Sequence, residues 1–157
     1  MIKNKRGDGY IQVCVLIIII CMILSVFVTF AGTVNIVTLM KSNTKTVLET
    51  YVTKNSIEIY NSIKQGNNSI DSLDTKEYIS DLSSFCTFVK QGSYYYHKDA
   101  SGRTEYYIST PFVGFTEEGR LKLYVSYTLY VPLYFDNVKI QTAQIPITVK
   151  LNLDERF

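Results

Sequence analysis

No charged residue occurs between Tyr10 and Met40, and within that window Val13 to Ala31 is an apolar run of 19 residues interrupted only by Ser25 and Thr29. A helix of that length rises about 28 Å, close to the thickness of a hydrocarbon core. The run therefore predicts a transmembrane helix, and it leaves a 157-residue chain room for one modest domain. Lys3, Lys5 and Arg6 crowd one end of the run, whereas the first charge at the other end is Lys41. That bias predicts a cytoplasmic N-terminus. The expected organisation is a cytoplasmic basic leader over 1–9, a transmembrane helix region over 10–40 and an extracytoplasmic domain over 41–157, in a single-pass protein of the cell membrane. A cleaved secretory signal fits less well: its apolar region would be about 7–15 residues long, and Thr29-Phe30-Ala31 is a poor small-x-small site.

Charge divides unevenly along the chain. Residues 1–40 hold three basic residues and Asp8, a net of +2, and residues 41–157 hold 13 basic and 13 acidic residues, a net of zero. A neutral exported part lacks the basic excess that phosphate contacts require, which argues against nucleic acid as a partner. The three cysteines form no framework, because Cys14 and Cys21 lie in the apolar run and Cys86 is left as the single exported thiol. In "SSFCTFV", Cys86 is expected to be a small buried hydrophobe.

Between Thr33 and Lys64 there is neither proline nor glycine, and Val37, Met40, Val47, Tyr51, Val52, Ile59 and Ile63 recur near helical spacing. The spacing predicts a long helix to about residue 64, stopped in "KQGNNS" at Gly66. A short second helix is expected over about 75–89, capped by Asp74 or Thr75, with Tyr78, Ile79, Leu82, Phe85 and Cys86 on its apolar face. Strands follow from about 93 to 153. "YYYH" and "TEYYIST" flank "KDASGR" as a hairpin. In "LKLYVSYTLYVPLYF", Leu121, Leu123, Val125, Tyr127, Leu129, Val131, Leu133 and Phe135 share one face, which predicts a long strand with that face on a core. "VKIQTAQIPITVKLNL" changes phase near Ala143 and Gln144, predicting a bulge or break there. Pro132 and Pro146 donate nothing to a ladder and are expected at an edge or irregularity. The fold class expected is α+β: one N-terminal helix extended into the exported domain and packed on a small antiparallel sheet.

Chemistry-bearing motifs are sparse. His97, the one histidine, has no cysteine or carboxylate at ligand spacing and reads as a solvated strand-end residue. Glu117-Glu118 before Gly119-Arg120 read as a turn, and Asn67-Asn68-Ser69, though a glycosylation sequon, as loop chemistry. With no phosphate loop, no G-x-S-x-G and no H-E-x-x-H, the reading is non-enzymatic, with no metal, cofactor or small-molecule substrate. The tyrosines carry more. Tyr94, Tyr95, Tyr96, Tyr106 and Tyr107 fall on the hairpin, and Tyr124, Tyr130 and Tyr134 on the polar face of the long strand. Tyrosine supplies large, rigid contact area, so these eight are a candidate interaction surface, although ordinary cross-strand pairing accounts for them more readily.

A basic leader "KNKRG", a long apolar helix and a C-terminal antiparallel sheet together resemble the pilin-like proteins, most closely the TadE-like minor pilins of Tad (type IVc) pilus assembly systems. The resemblance implies cleavage by a membrane peptidase after Gly7, leaving Asp8 as the first mature residue. The fifth mature residue in such proteins is usually Glu, which pairs inside the membrane with the freed amino terminus of a neighbouring subunit. Here that position is Gln12, which retains hydrogen bonding without charge, and Asp8 stands where a small or apolar residue is usual. A plain anchor accounts for the same stretch with Asp8 as helix cap, Gly7 and Gly9 loosening the chain at the membrane face, and Gln12 in the headgroup zone. The implied partners are membrane lipid and other pilin-like subunits or secretion platform proteins. A permanently anchored binding module and an accessory subunit of a conjugation or secretion channel are the other two readings.

Overall fold

The computed structural model describes residues 6–64, 75–116, 122–135 and 138–153. Helices α1 (Arg6–Lys54), α2 (Ser56–Lys64) and α3 (Thr75–Phe85) precede strands β1 (Val89–Gln91), β2 (Tyr94–Lys98), β3 (Thr104–Ser109), β4 (Phe112–Thr116), β5 (Lys122–Phe135) and β6 (Val138–Asn152). The class is α+β, a long N-terminal apolar helix with an antiparallel sheet. The stop at Gly66, the Asn67-Asn68-Ser69 sequon, Asp74, the Glu117–Arg120 turn and Leu121 lie outside the described residues. The chain divides into two compact units, Met1–Asn35 and Ile36–Phe157, and α1 contributes to both.

In the first unit every residue from Gly9 to Gly32 is exposed. Of the described helices, α1 is the one long and apolar enough to cross a membrane. Two of its hydroxyls are satisfied internally: Thr29 Oγ1 donates to the Ser25 carbonyl at 2.9 Å and Thr33 Oγ1 to that of Thr29 at 3.0 Å. Such back-bonding removes the cost of a bare hydroxyl in lipid.

In the second unit the same helix changes character. Met40, Thr44, Val47, Leu48, Tyr51 and Val52 form a buried stripe, while Lys41, Lys45, Thr46 and Thr50 stay exposed. The expected single helix to about 64 is instead two segments with a one-residue turn at Asn55. Helical bonding still crosses the turn, with Asn55 N–H on the Tyr51 carbonyl (3.1 Å) and Ile59 N–H on that of Asn55 (3.0 Å). The Asn55 side-chain amide also donates to the Tyr51 carbonyl, at 3.0 Å, and this competition for a helix acceptor marks the break.

Helix α3 stops at Phe85, short of the expected 89. Phe88 N–H donates to the Ser83 carbonyl (2.8 Å) and Thr87 N–H to that of Ser84 (3.4 Å), closing the helix end around Thr87 at φ +52°. Glycine is the usual residue at that left-handed position, and a β-branched one there costs on the order of 1–2 kcal/mol. Lys54 clamps α3 to α1 through Asp81 at 2.6 Å and Glu77 at 3.9 Å. The hydrogen bond to Asp81, more than any other influence, raises the Lys54 pKa.

Among the described residues the sheet has six strands, all paired antiparallel. β6 pairs with β5 along its length, from Lys122↔Asn152 to Phe135↔Val138. The other edge of β5 is shared in tandem by β4, opposite 122–126, and β3, opposite 129–130. At the break between β3 and β4, Thr128 N–H is taken up by Ser109 Oγ at 3.0 Å. Main-chain groups of alternate residues point to the same edge, so Thr128 aims its N–H away from β6 and its partner Pro146 aims its nitrogen at the open edge. Pro132, in the same phase as Thr128, faces the β3 side beyond the last β3–β5 pair, Tyr107↔Tyr130. Both prolines therefore sit where no donor is required. The irregularity in β6 falls between the pairs Leu133↔Gln141 and Tyr134↔Lys139, which leaves Ile140 as the extra residue and not Ala143 or Gln144.

Alternation along β5 sorts the layers. Leu123, Val125, Tyr127, Leu129 and Val131 are buried with Ile108, Ile147 and Leu151 against the buried residues of the three helices, including Ile59, Tyr78 and Leu82. Burial of each such aliphatic side chain stabilises by about 1.5–3 kcal/mol, which is what holds the helices to this face.

Candidate interaction surface

The sheet's second face carries tyrosines in register. Tyr96, Tyr107 and Tyr130 are successive cross-strand neighbours on β2, β3 and β5. Their rings stack: Tyr96–Tyr107 centroids are 4.9 Å apart at 22°, and Tyr107–Tyr130 are 4.8 Å apart at 5°. Tyr94 meets this stack edge-on, 5.6 Å from Tyr107 and 5.7 Å from Tyr130. The Tyr107 hydroxyl is hydrogen-bonded to Thr142 of β6, and burial followed by the Tyr96 phenol push its pKa upward. Because ring faces are used against each other, the stack is held rigid by packing.

Two further aromatic groups flank it. Toward one end, Tyr124 lies over Gly114, where an added Cβ would come within 2.9 Å of the Tyr124 ring and of Phe112, so the glycine makes room for the ring. Phe112 is itself 59% exposed. Toward the other end, Arg103 sits 5.0 Å over the Tyr134 ring, and Tyr134 donates to the Thr104 carbonyl at 3.3 Å.

Six of the eight tyrosines expected at the surface share this face. Tyr95 and Tyr106 do not: they are 6% and 3% exposed and point into the core beside Ile108. The period of two across "YYYH" and "EYYI" sends neighbours to opposite faces, so a run of adjacent tyrosines is necessarily split.

The core holds polar groups of its own. Thr44, fully buried, shares a 2.6 Å hydrogen bond with the Tyr127 hydroxyl, and Asn43 Nδ2 lies 3.7 Å from Cys86 Sγ. Cys86 is buried as expected, and burial raises its thiol pKa. Burial also raises the phenols of Tyr78, Tyr106 and Tyr127 well above the ordinary tyrosine value. The Tyr78 hydroxyl has no hydrogen-bond partner among the described residues. His97 is not the solvated strand-end residue expected. Its Nδ1 donates to the Cys86 carbonyl at the end of α3 (2.9 Å), its ring stacks on Tyr106 at 4.7 Å, and Nε2 lies 3.6 Å from Glu105. These contacts make His97 a cap that ties α3 to the hairpin. Among the described residues no group of three metal-ligating side chains converges.

At the N-terminus, Gly7, Asp8 and Gly9 lie inside α1, which begins at Arg6. Asp8 is thus not the helix cap expected of a plain anchor. Gln12 is exposed on a stripe with Ile11, Val15, Leu16, Ile19 and Ile20. No protein-family model matches the chain, and no curated protein or solved structure matches it either.

Proposed function

We propose that this chain is a single-pass, non-enzymatic membrane subunit of the pilin-like, TadE-like kind, acting in assembly of a Tad-type pilus or a related secretion apparatus. The N-terminus lies in the cytoplasm and the sheet outside it, an orientation supported by Lys3, Lys5 and Arg6 before the apolar run. The observation that carries the reading is α1: its first part is apolar all round and unburied, and its later part is the core helix of an antiparallel α+β domain. One helix so built serves both as anchor and as a shaft by which subunits associate through packing in the membrane. Gln12 is the polar group in the exposed stripe and is assigned the intramembrane hydrogen bond to a neighbouring subunit. The Tyr-rich face supplies contacts outside the membrane.

The test is the intact mass of membrane-extracted protein made with and without a prepilin peptidase. Loss of the first seven residues, Met1 to Gly7, only when the peptidase is present is the expected result. Retention of Met1 to Gly7 in the native host, or a cut near Ala31, overturns the assembly reading and favours a permanently anchored binding module or a secreted domain.

A further inference from the structure

The free edges of the sheet differ in length. Among the described residues nothing pairs with the outer edge of β6, which runs for 15 residues, whereas β1 and β4 leave edges of three and five residues. A long edge presents a row of unmet N–H and C=O groups on which another strand can add. Alternate residues face it: because Pro146 aims its nitrogen outward, Thr142, Gln144, Thr148, Lys150 and Asn152 aim their main-chain groups the same way, while Ile145, Ile147 and Val149 bond to β5. Gln144, Pro146, Thr148 and Lys150 are all exposed.

We infer that Pro146 is the residue that keeps this edge from pairing with the β6 edge of a second copy of the chain. Past the Ile140 bulge, residues 142–152 pair regularly with β5 and are centred on Ile147. Laid antiparallel on its own copy about a two-fold axis through Ile147, this stretch sets Ile145 against Val149 on the core face, where both are only partly buried, and Gln144 against Lys150 on the outer face. No two lysines meet, so charge does not oppose the pairing. Pro146 does. It falls opposite Thr148 at a hydrogen-bonded position, where it has no N–H to give and its ring stands in the place of that hydrogen, against the incoming carbonyl. The two-fold axis repeats the clash on its other side. Sliding the register does not escape it: both core faces stay on one side only if even positions meet even positions, so any antiparallel register that includes Pro146 puts it at the same kind of site. What remains are the lengths 142–144 and 148–152, ladders too short to offset the freedom lost on association. The inference goes beyond the proposed function, which leaves subunit contact to α1 and the Tyr-rich face, and it holds whether or not the leader is cleaved.

The experiment is the sedimentation of the purified full-length chain in detergent micelles over a range of protein concentrations, beside Pro146→Thr and the double variant Pro146→Thr/Thr148→Pro. The double variant moves the block two residues along the same edge, where Thr148 N–H is not used by β5. Any association through α1 is common to all three chains, so the differences between them report on β6. Pro146→Thr should self-associate about a hundredfold or more tightly than the parent, and the double variant should return to the parent's behaviour. Hydrogen exchange gives a second reading: in the parent the amides of Ile145, Ile147 and Val149 should exchange slowly and those of Gln144, Thr148 and Lys150 fast, and in Pro146→Thr the second group should become slow as well. Pro146→Thr with near-ultraviolet circular dichroism like the parent's and no added association overturns the inference, as does a double variant that associates like Pro146→Thr. Slow exchange at Thr148 and Lys150 in the monomeric parent overturns it too, by showing that the edge is already paired.

Discussion

The two lengths of α1, Arg6 to Asn35 and Ile36 to Lys54, belong to one continuous helix and solve opposite problems. From Val13 to Gly32 the first is almost wholly apolar and exposed throughout; the second buries one stripe, from Met40 to Val52. Hydrophobicity alone does not distinguish a membrane helix from a core helix, since both are rich in Val, Leu and Ile. The distinction is angular: side chains apolar all round have only lipid to face, whereas a stripe about 100° wide defines a partner surface and leaves polar residues for water. The difference also shows in how polar groups are treated. Thr29 and Thr33 turn back onto their own helix, while Thr44 reaches across to Tyr127.

The sharpest way to break this contrast is a pair of matched truncations. Leu48 is fully buried and Leu24 is 57% exposed. Leu48→Ala should destabilise the domain by about 2–5 kcal/mol, read from thermal unfolding in detergent, and Leu24→Ala by well under about 1 kcal/mol. Equal effects of the two would mean that the first length of α1 is packed against protein.

Next in size is the response to alkali, which reports on the polar groups held in the core. Tyr78, Tyr106 and Tyr127 have folded-state pKa values raised by burial, against about 10 in the unfolded chain. Their contribution is therefore fully present below the unfolded value and is lost as pH climbs above it, because the unfolded chain releases protons that the folded one retains. Stability should be flat with respect to these groups from about pH 7 to 9 and then fall by up to about 1.4 kcal/mol per pH unit for each tyrosine. Absorbance of tyrosinate from these three appearing near pH 10, before unfolding, would show that their phenols are solvated.

The smallest effect concerns Tyr78 alone. Its hydroxyl is buried and unpartnered among the described residues, a state that costs on the order of 1–3 kcal/mol. Tyr78→Phe keeps the ring against Tyr51, 5.7 Å away, and should raise the melting temperature by a few degrees. A lower melting temperature would mean that the hydroxyl is bonded.

Much of this architecture is legible in the sequence where one residue type maps to one environment. The alternation of Leu123 to Val131 predicts the central strand because each inward side chain is apolar or Tyr127 and each outward one is polar, small or Tyr. β1 and β4 are not legible. β1 has three residues, and β4 places Phe112 and Gly114 outward, so its apolar period is masked. The bulge is displaced for a similar reason: Val138 and Ile140 look like a core phase but are 66% and 68% exposed at the strand's end. Tyrosine is ambiguous in principle, since its ring suits the core and its hydroxyl the surface, and only register separates Tyr95 and Tyr106 from Tyr96 and Tyr107. The role of His97 depends on a helix end 11 residues away, which spacing does not reveal.

The central claim, that one length of α1 spans the membrane and the sheet stands outside, is tested most directly by labelling. Ser101 is exposed in the turn between β2 and β3, whereas Cys86 is buried and Cys14 and Cys21 lie in the membrane-length part of α1. In cells carrying Ser101→Cys, a membrane-impermeant maleimide should label the protein without permeabilisation, with the unsubstituted chain unlabelled. Labelling of the Ser101→Cys variant only after the membrane is opened would place the sheet in the cytoplasm and contradict the account.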